Sequence, residues 1–391
     1  MSKTIVLVAT LDTKGDLVQY IKERIEKQNF NTIVIDPGVM NTPLIKADIT
    51  REEVAKRGGK ELSELVEAAK MGADRSKATE IMIKGVTDIT RELYETGKLD
   101  GILSIGGSTG QAIGTAAMET LPVGVPKLMV FGMGGKDITR MPAVSDVLGL
   151  NRVTERILSN AAGAIVGMVD MEMPERKSRP LIGLTSYGVT TPCVLHTKTL
   201  LDENGYESIA FSVRAQVLEE MIMQGTVDAL IDITPAGIYE SWYDLPLAQP
   251  NRMESAGLMG IPQIIVPGSL DFINFGRMNI PAEFMDRISH KHGPHVTLVK
   301  TTKEEVFKAG TELANRANRS KGPVAFVIPL NGFSASDIPP YYDREIDLAF
   351  GEAVKKTANN NIQVIEVDAQ INEKKFANNL FEAIIDLLKS N

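Results

Sequence analysis

Cysteine is nearly absent. Cys193 stands alone in 391 residues, so no internal disulfide can form, and a reducing, cytoplasmic setting is expected. Positive charge is also scarce. Lys and Arg total 42 against 50 Asp and Glu, a net charge of -8. That balance argues against a nucleic-acid partner held by a broad basic surface and against electrostatic docking on an acidic membrane. No apolar run reaches the 18 or so residues that a membrane-spanning helix needs. The strand-like Thr4–Ala9, close behind Met1, is too short for a signal segment. Low-complexity stretches and short-period repeats are lacking as well.

What is present is a globular balance, with 43% hydrophobic and 24% charged residues. The length exceeds one ordinary core and predicts two domains. From end to end, a short β-branched run leads into a Gly, Ser, Thr, Asp or Pro loop and then an amphipathic helix. This order predicts parallel βαβ units and an α/β fold of two Rossmann-like domains with mainly parallel sheets. Strands are expected at 5–9, 32–35, 101–105 and 127–131, then at 181–185, 208–211, 229–233, 263–266, 296–299, 324–328 and 363–367. Thr50 with Glu53 and Thr302 with Glu305 have capping-box spacing. Thr191-Pro192 reads as an N-cap followed by proline at the first helical position. Helical patterns at 62–72 and 77–96 read as an insertion covering one side of the first domain. The charged, proline-bearing stretch 172–179 is the expected boundary, giving domains 1–175 and 180–391.

Ligands of parallel α/β sheets bind beyond the C-terminal ends of the strands. Three loops of the first half are built for an anion. After the strand at 101–105 come Gly106, Gly107, Ser108, Thr109 and Gly110, opening a helix. Paired glycines let backbone approach a phosphate, and a helix start offers free N–H groups. This is neither a Walker P-loop nor a G-x-G-x-x-G fingerprint, and a plain tight turn with a hydroxyl cap is the alternative. After the first strand come Thr10, Asp12, Thr13 and Lys14. A lysine at a helix start opposes the dipole unless it meets an anion; the alternative is a solvated lysine paired with Asp12 or Asp16. The third loop holds Gly132, Gly134, Gly135 and Lys136. Together these loops predict a small phosphorylated ligand, a nucleotide such as ATP first, alone or with Mg2+.

The second half carries different chemistry. Asp271 and Asn274 follow one strand, and Ser334 and Asp337 follow another. His290, His292 and His295 fall within six residues, which suits a metal or acid–base cluster, yet the spacing matches no zinc signature, and ordinary surface or core histidines are the alternative. Cys193, expected in a first helical turn, is either activated there or simply packed. No serine sits in a G-x-S-x-G elbow. Asp271, Asn274, His290, His292, Ser334 and Asp337 are thus the candidates for an enzyme acting on a small organic acid or phosphorylated metabolite in an interdomain cleft. A partner-binding regulatory protein is the third class.

Several of these segments, in order, resemble the Tm-1-like ATP-binding family. They include Thr10–Lys14, Ile105–Ser108, Gly149–Arg152, Thr190–Cys193, Gly260–Gln263, Pro267-Gly268, Asn274–Gly276 and Gly332 with Ser334 and Asp337. The resemblance covers nearly the whole chain. It implies an N-terminal and a C-terminal α/β domain, ATP binding and a homodimer or larger homo-oligomer, a state also suggested by the apolar run at 157–169. The chain departs from the family at Phe131–Gly135, at Phe211–Ala215 and at His292-Gly293-Pro294.

Overall fold

The computed structural model describes residues 2–70, 75–130, 137–143, 149–172, 179–212, 216–245, 248–275, 280–291 and 296–390. The chain divides into two compact units, Met1–Glu175 and Arg176–Asn391. Both are α/β with parallel main sheets.

The first unit runs β1 (Thr4–Val8), α1 (Leu11–Glu26), β2 (Asn31–Ile35), α2 (Arg51–Gly58), α3 (Leu62–Lys70), α4 (Arg75–Glu95), β3 (Gly101–Ile105), α5 (Ser108–Glu119), β4 (Lys127–Val130), β5 (Thr139–Met141) and α6 (Arg152–Asp170). The sheet order is β2-β1-β3-β4-β5, and every pair is parallel. Alternate residues of one strand feed opposite cores, because successive side chains point to opposite faces. Ile5 and Leu7 pack with Leu17, Ile21, Leu158 and Ile165 of α1 and α6. Val6 and Val8 pack with Val54, Met82, Val86 and Ile113 of α2, α4 and α5. The helical insertion therefore covers one face of the sheet. Thr50 closes the expected capping box with Glu53 at the start of α2.

Much of the apolar run at 157–169 is spent inside its own unit. Leu158, Ala161, Ala162, Ile165 and Val169 of α6 all lie in the core under the sheet. Ile157, Ala164, Val166 and Met168 of the same run remain partly exposed.

The second unit runs β6 (Leu181–Ser186), α7 (Thr191–Glu203), β7 (Glu207–Ser212), α8 (Gln216–Met223), β8 (Ala229–Asp232), α9 (Ile238–Trp242), α10 (Glu254–Met259) and β9 (Gln263–Ile265). It continues with β10 (Phe272–Asn274), β11 (Ser289–Lys291), β12 (Thr297–Lys300), α11 (Lys303–Ala317), β13 (Val324–Pro329), α12 (Arg344–Thr357), β14 (Gln363–Val367) and α13 (Lys374–Ser390). Its main sheet, β14-β13-β9-β8-β6-β7, is parallel throughout. α7 and α13 cover one face through Val194, Leu201, Phe376 and Ile384. α11 and α12 contribute Val306, Leu313, Phe350 and Val354 to the opposite core.

Two expectations change here. The strand at 296–299 does not join the parallel sheet. As β12 it lies between β10 and β11 in a separate antiparallel sheet, hydrogen-bonded on both sides by three-residue strands too short to carry a pattern. The N-cap of α7 is Thr190 rather than Thr191, so Pro192 falls at the second helical position. Thr190 is drawn inward, its hydroxyl 2.8 Å from that of Thr234.

Candidate functional site

In the first sheet, β1 lies between β2 and β3. The chain leaves β1 toward β2 and returns on its other side as β3, which makes the crevice beyond β1 and β3 a topological switch point. A cavity of about 480 Å³ opens there. Thr10, Asp12, Thr13 and Lys14 line it from the end of β1 and the first turn of α1. Gly107, Ser108, Thr109 and Gly110 line it from the end of β3. The loop after β2 adds Pro37 to Asn41, and α4 adds Ala78, Thr79 and Met82.

The charge pattern follows from how the helices begin. Gly107 is the N-cap of α5 and has no side chain to cap with. The first amide bonded back is that of Gln111, which donates to the Gly107 carbonyl at 2.7 Å. Among the described residues, the Ser108, Thr109 and Gly110 amides meet no protein acceptor. Bare amides and the positive end of a helix dipole favour an anion. Lys14 is 9% exposed, so it is a buried lysine at the cavity rather than a solvated one.

The glycines divide by role. A Cβ on Gly106 would stand 2.6 Å from the Gly110 Cα, so Gly106 allows the close approach of strand end and helix. Gly106 is not part of the cavity wall. A Cβ on Gly107 would meet nothing within 4 Å. Gly132, Gly134 and Gly135 lie outside the described residues.

Sequence reasoning missed Asp36. It follows β2, is 1% exposed, and accepts the Leu11 amide at 3.1 Å and the Gly38 amide at 2.8 Å. Burial raises its pKa, the two amides oppose the rise, and Asp12 adds to it. An acid ahead of Pro37-Gly38 reads as an ordinary turn residue, so only the run strand–Asp–Pro–Gly marked the place.

The second unit's candidates separate into two groups. Asp271, Ser334 and Asp337 come together in the interior, at most 2% exposed. The Ser334 hydroxyl donates to Asp271 at 2.6 Å, and Lys300 Nζ donates to Asp337 at 2.9 Å. Asp347 of α12, also missed, joins them with both carboxyl oxygens buried and facing no donor among the described residues. Burial, then the charge of Asp337, pushes Asp271 up to about 7 despite Lys300; the same causes push Asp347 up to about 9. Asn274 and His290 lie on the two strands flanking β12, each opposite Leu298. His290 packs 5.5 Å from the Tyr341 ring. His292 and His295 lie outside the described residues. Among the described residues, no group of three His, Cys, Asp or Glu side chains could hold a metal ion.

Residues 3–174 match the Uncharacterised protein family (UPF0261) N-terminal domain, and residues 179–388 match the C-terminal domain of the same family. The chain belongs to UPF0261. A UPF0261 protein of Clostridium tetani is 38% identical and aligns over 100% of both chains. One from Rhizobium meliloti is 32% identical over 98% of this chain and 99% of its own. The ToMV resistance protein Tm-1(GCR237) of Solanum lycopersicum is 30% identical over 80% of this chain and 45% of that protein.

Two further points concern this UPF0261 chain. Cys193 is fully buried in the first turn of α7, and burial pushes its thiol up to about 12. The helix start does not activate it. Among the described residues, no helix is long and apolar enough to cross a membrane.

Proposed function

We propose that the first unit of this UPF0261 protein binds a nucleotide, ATP foremost, with its phosphates against the start of α5. The observation that carries this reading is the meeting, in one cavity at the switch point, of buried Lys14 with Ser108–Gly110 amides that have no acceptor among the described residues. The volume lies within the range of small-molecule sites. Thr10, Thr13, Ser108 and Thr109 add hydroxyl donors around the same space. Apolar Val39, Met40 and Met82 line the cavity as well and suit a base. The resemblance to the Tm-1-like ATP-binding family points the same way.

Calorimetric titration of the full chain with ATP, with and without Mg2+, tests it. One saturable site per chain is expected, with adenosine binding more weakly because it lacks the phosphates. No heat at millimolar ATP in either condition, or adenosine binding as well as ATP, would overturn the proposal.

A further inference from the structure

The second sheet has a switch point of its own. β6 lies between β7 and β8, so the crevice opens beyond the C-terminal ends of β6 and β8. A cavity of about 240 Å³ lies there. Tyr187 and Val189 reach it from the end of β6, and Ala236 and Gly237 from the segment after β8. An apolar cavity of about 150 Å³ takes benzene. This one has room for a ring with a short side chain.

Its lining is aromatic and acidic. Tyr187, Tyr239 and Phe272 form part of the wall, and Leu270 and Leu298 add aliphatic surface. Among the described lining residues, Glu240 is the only charged side chain. It is 4% exposed. Its oxygens accept the Gly237 amide at 3.0 Å and the Asn274 amide at 3.2 Å, which leaves further lone pairs. No lysine or arginine among the described residues forms an ion pair with it. Burial raises its pKa, as expected of a carboxylate without a counter-charge. Next to it, the Tyr187 hydroxyl is buried with no hydrogen-bond partner among the described residues. The wider interior leans the same way. Asp232, Glu240, Asp271, Glu305, Asp337 and Asp347 are buried in this unit against Arg252 and Lys300.

We propose that this cavity is a binding site for a small organic cation, an amine or ammonium group on a compact apolar body. The ammonium donates to the Glu240 carboxylate and to the Tyr187 phenol oxygen. The apolar body lies among Tyr239, Phe272, Leu270 and Leu298. Aromatic walls beside a carboxylate favour a cation over its neutral analogue, and the same carboxylate repels an anion of equal shape. The inference stands on the second unit alone and is independent of the nucleotide reading.

The test uses the full chain and three probes of one shape: benzylamine, benzyl alcohol and benzoate. In calorimetry near pH 7.5, benzylamine is expected to bind once per chain and about tenfold tighter than benzyl alcohol. Benzoate should give no heat. Glu240→Gln should reduce benzylamine to the level of benzyl alcohol. That variant leaves one of two buried amides without an acceptor, so a second variant stands beside it. Val189→Phe fills the cavity while keeping the carbonyl that accepts the Ala335 amide and the Asn372 side chain. It should abolish benzylamine binding. Absence of benzylamine binding, equal affinity for benzylamine and benzyl alcohol, preference for benzoate, or benzylamine binding that survives Val189→Phe would each overturn the proposal.

Discussion

The Asp36 carboxylate at the end of β2 accepts the amide of Leu11, the first residue of α1, at 3.1 Å. The same oxygen accepts the Gly38 amide, so one side chain ties the β2 loop to the helix that carries Lys14. The second oxygen is buried with no partner among the described residues. Asp36→Asn keeps an acceptor for both amides and removes the buried charge. Its stability near pH 7.5 should equal or exceed that of the wild type. Asp36→Ala leaves two buried donors unsatisfied, each costing about 1–3 kcal/mol. Urea unfolding followed by circular dichroism checks the pair. An alanine variant as stable as the asparagine variant would show that Asp36 does not hold the loop.

Adjacent glycines at the end of β3 should behave oppositely. A side chain at Gly107 enters open space in the cavity, and the backbone there has φ -72°, which any residue adopts. Gly107→Val should therefore fold normally and lose ATP affinity. Gly106→Ala drives a methyl group into the backbone of Gly110 and should destabilise by about 1–3 kcal/mol. Lys14→Ala should weaken ATP by roughly 1.5–3 kcal/mol, the range for a hydrogen bond to a charged group. Unchanged ATP affinity in folded Gly107→Val and Lys14→Ala would remove the nucleotide from this cavity.

Cys193 offers a chemical check on burial. Its thiol is pushed up to about 12 and has no exposed surface. Native protein at pH 8 should resist Ellman's reagent, and one thiol per chain should react in denaturant. Rapid reaction of the native form would mean that the first turn of α7 opens.

Much of the fold was legible because most strands of the two parallel sheets are short apolar runs with a turn behind them. Val6-Leu7-Val8 and Gly101–Ile105 need no tertiary information to be read as buried strands. β5, β10 and β11 were not legible, since three residues carry no period. The loops after β1 and β3 could each be read as anion-friendly, but their sharing of one cavity depends on the strand order. Asp36, Glu240 and Asp347 look in the sequence like a turn acid, a helix-face acid and another helix-face acid. Their burial is decided by what packs against them. For Asp347 the apolar neighbours Ile346, Ala349 and Phe350 were the available hint; Asp337 lies ten residues before it, and Lys300 and Asp271 come from segments more than forty residues away.

Burial, chiefly, and the charge of Asp337 push Asp347 up to about 9, with Lys300 opposing. An aspartate in the unfolded chain titrates near 3.9. Between these values the folded protein binds a proton that the unfolded chain lacks, so stability falls as pH rises. This contribution is complete below about pH 4 and is lost as pH rises through about 9. Asp271, pushed up to about 7, acts in the same direction over the lower part of the window. Each such proton adds a slope of at most about 1.4 kcal/mol per pH unit. Asp347→Asn is neutral at every pH, and its carboxamide can donate to Asp337 as the protonated acid does. Between pH 7 and 9 the wild type should lose stability while the variant loses less, and at pH 9 the variant should be the more stable of the two. Urea midpoints at pH 6, 7.5 and 9 measure both effects. A variant that keeps the full wild-type slope from pH 7 to 9 would show that Asp347 is not the residue holding the proton.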